Sequence, residues 1–371
     1  MNLRNTTPRN LLNFSGGPGA LADSVLRKVQ ESIESVPGVG LSILGISHRS
    51  KWFTDLVTDT EDRIRTLLNL SKDYHVLFLQ GGATQQFSTV AMAFNQTSNQ
   101  PAEYLDTGYW SAKSIEGATL NCAPNIKVAW SGKATNYKKL PRNTELSLNK
   151  EAPYFHYVSN ETVEGLQFKE VLGLDSVPRI CDMSSDFLST PIAAERFSLI
   201  YAHAQKNLGP AGVTIVVIKD EMMERIHSSV PAFLDYRTHA QAHSNFNTPP
   251  VFAIYVVNLI TQWLMLEVGG LERMHEINQQ KAKCIYEQID HSNNFYRSEV
   301  NIPDRSLMNV TFRLPGVELE NEFLKMAQSH GFSGLAGHRS VGGIRASLYN
   351  GVTLNAAREL AEFMRDFRSN V

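Results

Sequence analysis

The stretch Tyr201-Ala202-His203-Ala204-Gln205-Lys206-Asn207-Leu208-Gly209-Pro210-Ala211-Gly212 holds a single lysine between two apolar runs. The runs, residues 197–202 and 213–218, are short, rich in β-branched residues and bounded by turn formers, which predicts two buried strands. Burial at such a junction disfavours an ammonium ion and lowers the pKa of Lys206, and a neutral amine can form an imine with an aldehyde. A lysine on a surface loop is the commoner case for any single lysine. The stretch therefore has to be interpreted with the rest of the chain.

Length and composition are those of a compact globular enzyme. The chain has 371 residues, of which 42% are hydrophobic and 19% charged, which predicts a large core and two domains. A net charge of −2 offers no basic surface, so nucleic acid is not expected as a partner. The three cysteines form no CxxC pair and no metal-ligand spacing, so we expect reduced thiols, a cytoplasmic location and no metal site.

No membrane segment is expected. Residues 1–13 contain two arginines and no apolar core, so they do not resemble a secretory signal. The most hydrophobic stretch, residues 251–268, is interrupted by Asn258, Thr261, Gln262 and Glu267. We interpret it as a buried helix and not as a membrane span.

Strand-like and helix-like segments alternate through the first two thirds of the chain. Residues 75–80 and 177–182 are typical of strands, and residues 84–94 of a helix, which indicates an α/β fold with a mainly parallel sheet. After Gly269-Gly270 a long amphipathic helix over 271–289 begins a smaller α+β region, with further elements expected near 308–314, 318–330, 343–349 and 354–367. In such sheets, ligands collect at the carboxyl ends of the strands.

Three further features suit an aldehyde cofactor that carries a phosphate. Gly81-Gly82-Ala83-Thr84 follows a strand and opens a helix, where backbone N–H groups can bind phosphate, although a plain turn has the same pattern. Asp182 ends a strand and could pair with a protonated pyridine nitrogen, although an aspartate there also suits a turn cap. Trp110 could stack on a flat ring, although a core tryptophan is as common.

Taken together, these residues resemble the phosphoserine aminotransferases, class-V enzymes that depend on pyridoxal 5′-phosphate (PLP) and have the aspartate-aminotransferase fold (fold type I). The resemblance covers nearly the whole chain. It depends on the order and spacing of several motifs: Asn13-Phe14-Ser15-Gly16-Gly17-Pro18-Gly19, Ile46-Ser47-His48-Arg49-Ser50, Asn160-Glu161-Thr162-Val163-Glu164-Gly165, residues 204–212, Phe246-Asn247-Thr248-Pro249-Pro250 and Gly337-His338-Arg339-Ser340-Val341-Gly342-Gly343-Ile344-Arg345-Ala346-Ser347.

The resemblance implies an architecture. It implies a large PLP-binding domain over 16–268, with a mainly parallel seven-stranded sheet between helices. A small α+β domain would combine residues 1–15 with 269–371. The protein would be a homodimer with one PLP per subunit, in which each site is completed by the neighbouring subunit.

The resemblance also implies a role for individual residues. Lys206 would be the catalytic residue and would hold PLP as a Schiff base. The other cofactor-binding residues would be Asp182 at the pyridine nitrogen, Thr162 at the ring hydroxyl, Trp110 on the ring face, and Ala83, Thr84 and Gln205 at the phosphate, with Asn247 and Thr248 reaching the phosphate from the partner subunit.

The implied reaction transfers the amino group of L-glutamate to 3-phosphohydroxypyruvate, giving O-phospho-L-serine and 2-oxoglutarate in serine biosynthesis. The related 4-phosphohydroxy-L-threonine of pyridoxine biosynthesis is left open. Both substrates carry two anionic ends, which guanidinium groups bind well. The family pattern assigns Arg345 to the α-carboxylate, and the pairs His48-Arg49 and His338-Arg339 to the distal phosphate or γ-carboxylate.

The chain departs from the family pattern at two positions. Many relatives have an arginine or another small residue where Thr84 stands, and serine or alanine where Gly16 stands. A substrate contact from either side chain is therefore in doubt, whereas Lys206, Asp182 and Arg345 are unaffected.

Other functions remain open at this point. An alanine–glyoxylate-type aminotransferase of the same fold would have little use for two His-Arg pairs. A cysteine desulfurase would need a mobile cysteine, for which only Cys122 is a candidate. A catalytically silent PLP carrier would not need a substrate-binding arginine.

Overall fold

The computed structural model describes residues 9–96, 98–122 and 125–371. Residues 1–8 of the expected N-terminal segment and the side chain of Cys122 lie outside that part. The helices are α1 (Asp23–Glu34), α2 (Lys51–Leu68), α3 (Ala83–Phe94), α4 (Tyr109–Cys122), α5 (Asp220–Met223), α6 (Tyr236–Gln241), α7 (Val251–Trp263), α8 (Leu271–Asp290), α9 (Val317–Ser329) and α10 (Leu354–Asn370). Short 3₁₀ segments lie at Asn10–Leu12, Ile43–Gly45, Lys133–Thr135, Asn143–Glu145, Ala194–Arg196 and Ile302–Asp304.

The strands form one large sheet and two small ones. They are β1 (Tyr74–Gln80), β2 (Ala102–Asp106), β3 (Ile126–Ser131), β4 (Phe155–Val158), β5 (Asn160–Glu161), β6 (Leu166–Gln167), β7 (Arg179–Asp182), β8 (Leu199–His203), β9 (Val213–Lys219), β10 (Asn309–Phe312) and β11 (Ile344–Ser347). The seven-stranded sheet has the order β1-β9-β8-β7-β4-β2-β3, while β5 pairs with β6 and β10 with β11.

Only β9 runs against the other strands of the large sheet, because it pairs antiparallel with both β1 and β8. The remaining pairs are parallel. The two strands predicted on either side of Lys206 are β8 and β9, and the mainly parallel α/β architecture is confirmed.

The sheet topology gathers the predicted cofactor residues at one edge. Strands β1, β2, β7 and β8 all run in the same direction, so their carboxyl ends lie side by side. Gly81-Gly82 follows β1, Gly108 and Trp110 follow β2, Asp182 ends β7, and Lys206 follows β8. Fold and sequence pattern thus place this set where ligands bind in open α/β sheets.

The apolar segment Val251–Val268 is long and apolar enough to span a membrane, and 56% of it is buried within the fold. Its first part is α7, which packs against α1 and α2, and its last turn, Leu264–Val268, is a π-helix that ends at Gly269. Its buried residues include Ile254 and Val257, which belong to the core of the large sheet. The structure thus supports our interpretation of a core helix.

A second hydrophobic core joins the two ends of the chain. Leu12 and Phe14 pack with residues of α8, α9, α10 and the β10–β11 sheet. Phe14 N–H donates to the carbonyl of Ser333 (2.9 Å), and Ser347 N–H donates to the carbonyl of Phe14 (3.1 Å). We keep the division into a large domain (16–268) and a small one (1–15 and 269–371) as a proposal that these separate cores support.

Helix α8 differs from its expected apolar stripe. Met274, Ala282, Ile285 and Ile289 are buried as expected, whereas Ile277 is only half-buried. The stripe also includes Asn278 and Lys281, both fully buried. Lys281 donates to the carbonyls of Leu348 and Tyr349, each at 2.9 Å, and these two bonds satisfy part of the amine that the helix buries.

Candidate active site

Lys206 lies at the bottom of the site, directly after β8. Its side chain is nearly inaccessible, with 8% exposed, and its amine lies 5.3 Å from the centroid of the Trp110 ring. Burial lowers the pKa of Lys206, while the carboxylates of Asp182 and Glu161 oppose that shift. The lysine is thus buried, as the sequence indicated, and the amine is biased toward the nucleophilic neutral form.

Asp182 is a buried carboxylate whose charge acts on Lys206. It ends β7, and its Oδ1 accepts a hydrogen bond from the backbone N–H of Ser184 (2.8 Å). Burial raises the pKa of Asp182, and the charge of Lys206 and the bond from Ser184 act against that rise. The turn-cap interpretation and the cofactor interpretation are therefore compatible, since one carboxylate oxygen serves the turn.

Trp110 is held by hydrogen bonds from both its side chain and its backbone. Its indole Nε1–H donates to Thr162 Oγ1 (2.6 Å), and its backbone N–H donates to Glu161 Oε2 (3.0 Å). Thr162, predicted at the ring hydroxyl of the cofactor, therefore contacts the residue predicted on the ring face. The indole of Trp110 thus contacts Thr162 and also lies over the Lys206 amine.

The first turn of α3 has no side-chain cap and could therefore bind an anion. Its N-cap is Gly82, which has no side chain to cap the helix, and Ala83 and Thr84 are the first two helical residues. The first N–H groups of a helix lack intrahelical acceptors, so they can donate to a phosphate. The side chain of Gln205 lies beside the N-terminal segment, since a Cβ atom at Gly17 would be 3.6 Å from its Nε2.

His203 was not singled out from the sequence, yet it borders this anion site. A Cβ atom on Gly82 would lie 3.4 Å from His203 Cε1, and the N–H of Gly212 donates to His203 Nε2 (3.4 Å). Burial, followed by the charge of Lys206, lowers the pKa of His203 to about 4, so its imidazole is neutral at pH 7. The contact joins positions far apart in the chain, which a sequence pattern does not reveal.

Arg345 enters the site from β11. Its Nη1 donates to the carbonyl of Thr162 (3.4 Å), while its Nε is buried and has no hydrogen-bond partner in the described part of the chain. Burial lowers the pKa of Arg345. A buried donor without an acceptor is costly, so this guanidinium is suited to receive an anionic group.

The glycine at position 16 is explained by the same arginine. A Cβ atom there would lie 2.3 Å from Arg345 Nη2 and 2.5 Å from its Cζ. The guanidinium thus occupies the space that a serine or alanine side chain would take. The departure from the family pattern at Gly16 therefore leaves room for the Arg345 guanidinium, where relatives have a side chain at position 16.

His338 and Arg339 lie on the loop before β11. The ring of His338 packs on Tyr109 with centroids 4.7 Å apart, and His338 lines a cavity of ≈ 330 Å³ together with Glu164 and Arg345. Burial and the nearby arginines lower the pKa of His338. The structure brings His338 next to Arg345, whereas the side chain of Arg339 is exposed.

The second predicted His-Arg pair lies elsewhere on the chain. Asn245 Nδ2 donates to the carbonyl of His48 (2.9 Å), and Asn247 Nδ2 donates to Gln80 Oε1 (3.0 Å). Gln80 Nε2 also donates to the carbonyl of Thr248. Asn247, Thr248 and Arg49 are all exposed. These residues therefore form a separate surface group beside the end of β1.

Two glutamates were also missed by the sequence analysis, Glu161, which is buried, and Glu164, which is half-buried. They lie on either side of Thr162 in the chain, and both accept hydrogen bonds from backbone N–H groups at the start of α4. Nothing in their local pattern indicates these contacts.

Comparison with known proteins identifies the class. The family profile described as aminotransferase class V matches residues 11–360. The chain therefore belongs to the class-V aminotransferases.

Full-length relatives define the position within that class. The phosphoserine aminotransferase of Rhodopirellula baltica is 44% identical over 363 residues, which are 98% of this chain and 96% of that protein. The solved phosphoserine aminotransferase of Bacillus circulans subsp. alkalophilus has a TM-score of 0.93 at 43% identity, with 96% of this chain and 98% of that chain covered. PLP-bound phosphoserine aminotransferase from Trichomonas vaginalis has a TM-score of 0.89 at 35% identity, covering 95% and 99%. Within its class, the chain groups with the phosphoserine aminotransferases.

PLP is the cofactor of this class, and the residues present fit it. The uncapped first turn of α3 suits its phosphate, and Trp110 presents an aromatic face above Lys206. The buried carboxylate of Asp182 suits a protonated ring nitrogen. The unpartnered Nε of Arg345 leaves a donor for a substrate anion.

Proposed function

We propose that Lys206 is the catalytic residue through which this chain, a PLP-dependent phosphoserine aminotransferase, exchanges amino groups between L-glutamate and 3-phosphohydroxypyruvate. The products are O-phospho-L-serine and 2-oxoglutarate, and the setting is serine biosynthesis in the cytoplasm. The observation that carries the assignment is the burial of the Lys206 amine under Trp110 and in the field of Asp182.

The roles of the residues follow from their environment. When bound, PLP supplies an electron-withdrawing ring that stabilises negative charge at the substrate Cα. Lys206 Nζ holds the cofactor at rest and carries the proton removed from Cα, a task that suits an amine whose pKa burial has lowered. Asp182 would provide a fixed negative charge, and Trp110, held by Thr162, would contact the cofactor ring.

Ala83, Thr84 and Gln205 hold the phosphate of PLP in this proposal. The helix already holds the backbone N–H groups of its first turn in place. Little free energy is therefore lost in ordering these donors when the anion binds. Gln205 is itself anchored, because its carbonyl accepts a hydrogen bond from Gly19 N–H (2.7 Å).

Arg345 binds the α-carboxylate that both substrates share. Replacing Arg345 by alanine should lower kcat/KM by about 100-fold for each substrate, since a buried charged partner is lost. Arg345→Lys keeps the charge but not the fork, and it should recover only part of the activity. The check is steady-state kinetics with glutamate and 3-phosphohydroxypyruvate varied separately. A loss confined to one substrate would show that Arg345 binds a distal group.

His338-Arg339 and His48-Arg49 are the proposed ligands for the distal phosphate or γ-carboxylate. His338 adjoins Arg345 within the ≈ 330 Å³ cavity, which supports this role for the first pair. His48 and Arg49 adjoin the surface group of Asn247 and Thr248, so we propose that they reach the site of a partner subunit.

A homodimer explains that surface group. Several large apolar side chains are exposed near it, including Leu44 (68% exposed), Phe233 (58%) and Phe246 (46%), and such side chains are typical of an interface. Asn247 and Thr248 would then bind the phosphate in the neighbouring subunit. Each site would be completed by its partner.

Mixed dimers test this arrangement. Neither a Lys206→Ala chain nor an Asn247→Ala/Thr248→Ala chain should be active on its own. When the two are unfolded, mixed in equal amounts and refolded, hybrid dimers contain one intact site, so about a quarter of the wild-type activity should return. Refolding each variant separately is the control. If the mixture stays inactive although hybrids form, Asn247 and Thr248 serve their own subunit.

A further inference from the structure

Glu161 and Glu164 hold the start of α4. The backbone N–H groups of Trp110 (3.0 Å) and Ser111 (2.9 Å) donate to the two carboxylate oxygens of Glu161. The N–H of Tyr109 donates to Glu164 Oε1 (2.9 Å). Two acidic side chains from a distant segment thus cap the first turn of the helix that carries Trp110, where the helix dipole favours negative charge.

The two carboxyl groups are close neighbours. A Cβ atom on Gly108 would lie 2.7 Å from the carboxyl carbon of Glu164 and 2.8 Å from that of Glu161. Glu161 is 1% exposed. Within the described part of the chain, neither carboxylate forms an ion pair with a lysine or arginine. Two like charges in this position would repel each other strongly.

The outer carboxyl oxygen of Glu164, Oε2, is buried and has no hydrogen-bond partner among the described residues. A carboxylate oxygen in that state is costly, whereas a protonated carboxyl group is neutral. Burial, followed by the charge of Glu161, raises the pKa of Glu164 to about 8, and burial raises the pKa of Glu161 as well.

Other charged groups face the pair. Asp106, at the end of β2, adds negative charge and is itself bound by Tyr137 (3.0 Å) and lies 3.6 Å from Lys133. Lys206 is close enough to Glu161 for the charge of Glu161 to raise the pKa of Lys206. Arg345 and His338 line the cavity beside Glu164, together with Lys138, Arg297, Glu299 and Arg313.

We propose that Glu161 and Glu164 are a pair of carboxyl groups, one charged and one protonated, that positions Trp110 above Lys206. Glu161 carries the negative charge and binds the N–H groups of Trp110 and Ser111. Glu164 carries the proton and fixes Tyr109. Because Thr162 lies between them and binds the indole, one short segment holds the backbone and the side chain of Trp110 together. The proposal extends the role given to Trp110 and concerns positioning residues.

The dependence of the unfolding free energy on pH tests whether Glu164 holds a proton. Because the folded pKa of Glu164 is above its ordinary value of 4.5, the folded chain holds a proton between about pH 4.5 and 8 that the unfolded chain releases. Folding is therefore favoured below pH 4.5 and weakened as pH rises through 8. In the wild type, the unfolding constant should increase by up to about tenfold per pH unit over this range. Glu164→Gln imitates the protonated form, so its unfolding constant should not show this increase. Urea unfolding of the full chain, with and without PLP, measures this difference.

The charge of Glu161 has a separate spectroscopic test. In the holoenzyme, Glu161→Gln should move the pH titration of the visible absorbance to lower pH by about one unit, because a negative charge near Lys206 is lost. Glu164→Gln, the matched control, should leave that titration in place. The fluorescence of Trp110, with Trp52, Trp130 and Trp263 replaced by phenylalanine, should shift in Glu161→Gln without PLP.

Several results would overturn the proposal. If Glu161→Gln and Glu164→Gln give identical pH titrations of the visible absorbance, Glu161 does not carry the negative charge that acts on Lys206. A Glu164→Gln chain that keeps the wild-type dependence of unfolding on pH would show that Glu164 holds no proton. If Glu161→Gln does not fold, Gly108→Ala serves instead, because its added methyl group would push both carboxyl groups away. An unchanged Trp110 emission in Gly108→Ala would equally exclude the positioning role. Since none of these measurements follows turnover, failure here leaves the assignment of Lys206 untouched.

Discussion

Replacing Lys206 by alanine should reduce transamination by at least about 10⁴-fold, because the variant loses both the covalent attachment and the group that moves the Cα proton. The variant should also lose the visible absorbance of the lysine-bound cofactor. The fold should persist, because the amine is buried with only partial compensation from Asp182 and its loss leaves the surrounding strands in place. Single-turnover kinetics and the absorption spectrum after adding PLP measure the two losses.

Lys206→Arg is the matched control for charge. It keeps a cation opposite Asp182 but cannot form an imine, so we expect it to be as inactive as the alanine variant. Lys150→Ala, at an exposed position, should leave activity and spectrum as in the wild type. Borohydride reduction of the wild-type holoenzyme, followed by peptide mapping, should mark Lys206. A label on another lysine, or an active Lys206→Ala chain, would remove the central assignment.

Replacing Asp182 by asparagine should lower kcat by about 10³-fold, on the scale of the loss of a preorganised electrostatic group. Asparagine preserves the shape and the hydrogen bond to Ser184, so the effect isolates the negative charge. That charge also raises the pKa of Lys206 in the free chain, so the pH profile of kcat/KM should move to lower pH in the variant. Steady-state rates from pH 6 to about 10 test both expectations.

Asp186 supplies the comparison for Asp182. It is half-buried, and it accepts hydrogen bonds from Ser159 (2.5 Å) and Gln167 (3.1 Å). Burial raises the pKa of Asp186 to about 6, so its carboxyl group is mostly charged at pH 7, but its charge acts on Lys206 less than that of Asp182 does. Asp186→Asn should therefore stay within about tenfold of wild-type activity. Equal losses in both variants would show that the region responds to any change of buried charge.

Much of the fold could be predicted because its signals are local. The strands on either side of Lys206 are continuous apolar runs, and both strands lie within about two residues of their expected limits. Gly81-Gly82 and Asp182 stand at strand ends, and in a parallel sheet those ends share one edge, so the sequence also indicated which residues would meet.

The parts that were missed depend on distant contacts. Glu161 lies 50 positions from Ser111, whose N–H it binds, and neither local pattern indicates that contact. Lys281 and Asn278 were not expected in the buried stripe of α8, because hydrophobic periodicity counts only apolar residues as core. The position of Arg345 against Gly16 likewise joins residues that are far apart in the chain.

The second hydrophobic core is assembled from segments that are synthesised far apart in time. During translation, Leu12 and Phe14 precede all of the residues of α8, α9, α10 and the β10–β11 sheet with which they pack. Tyr349, whose hydroxyl donates to the carbonyl of Gly16 (2.8 Å), follows that glycine by 333 positions. A nascent chain can therefore form the sheet that carries Lys206 long before Arg345 and Tyr349 are synthesised and can reach Gly16.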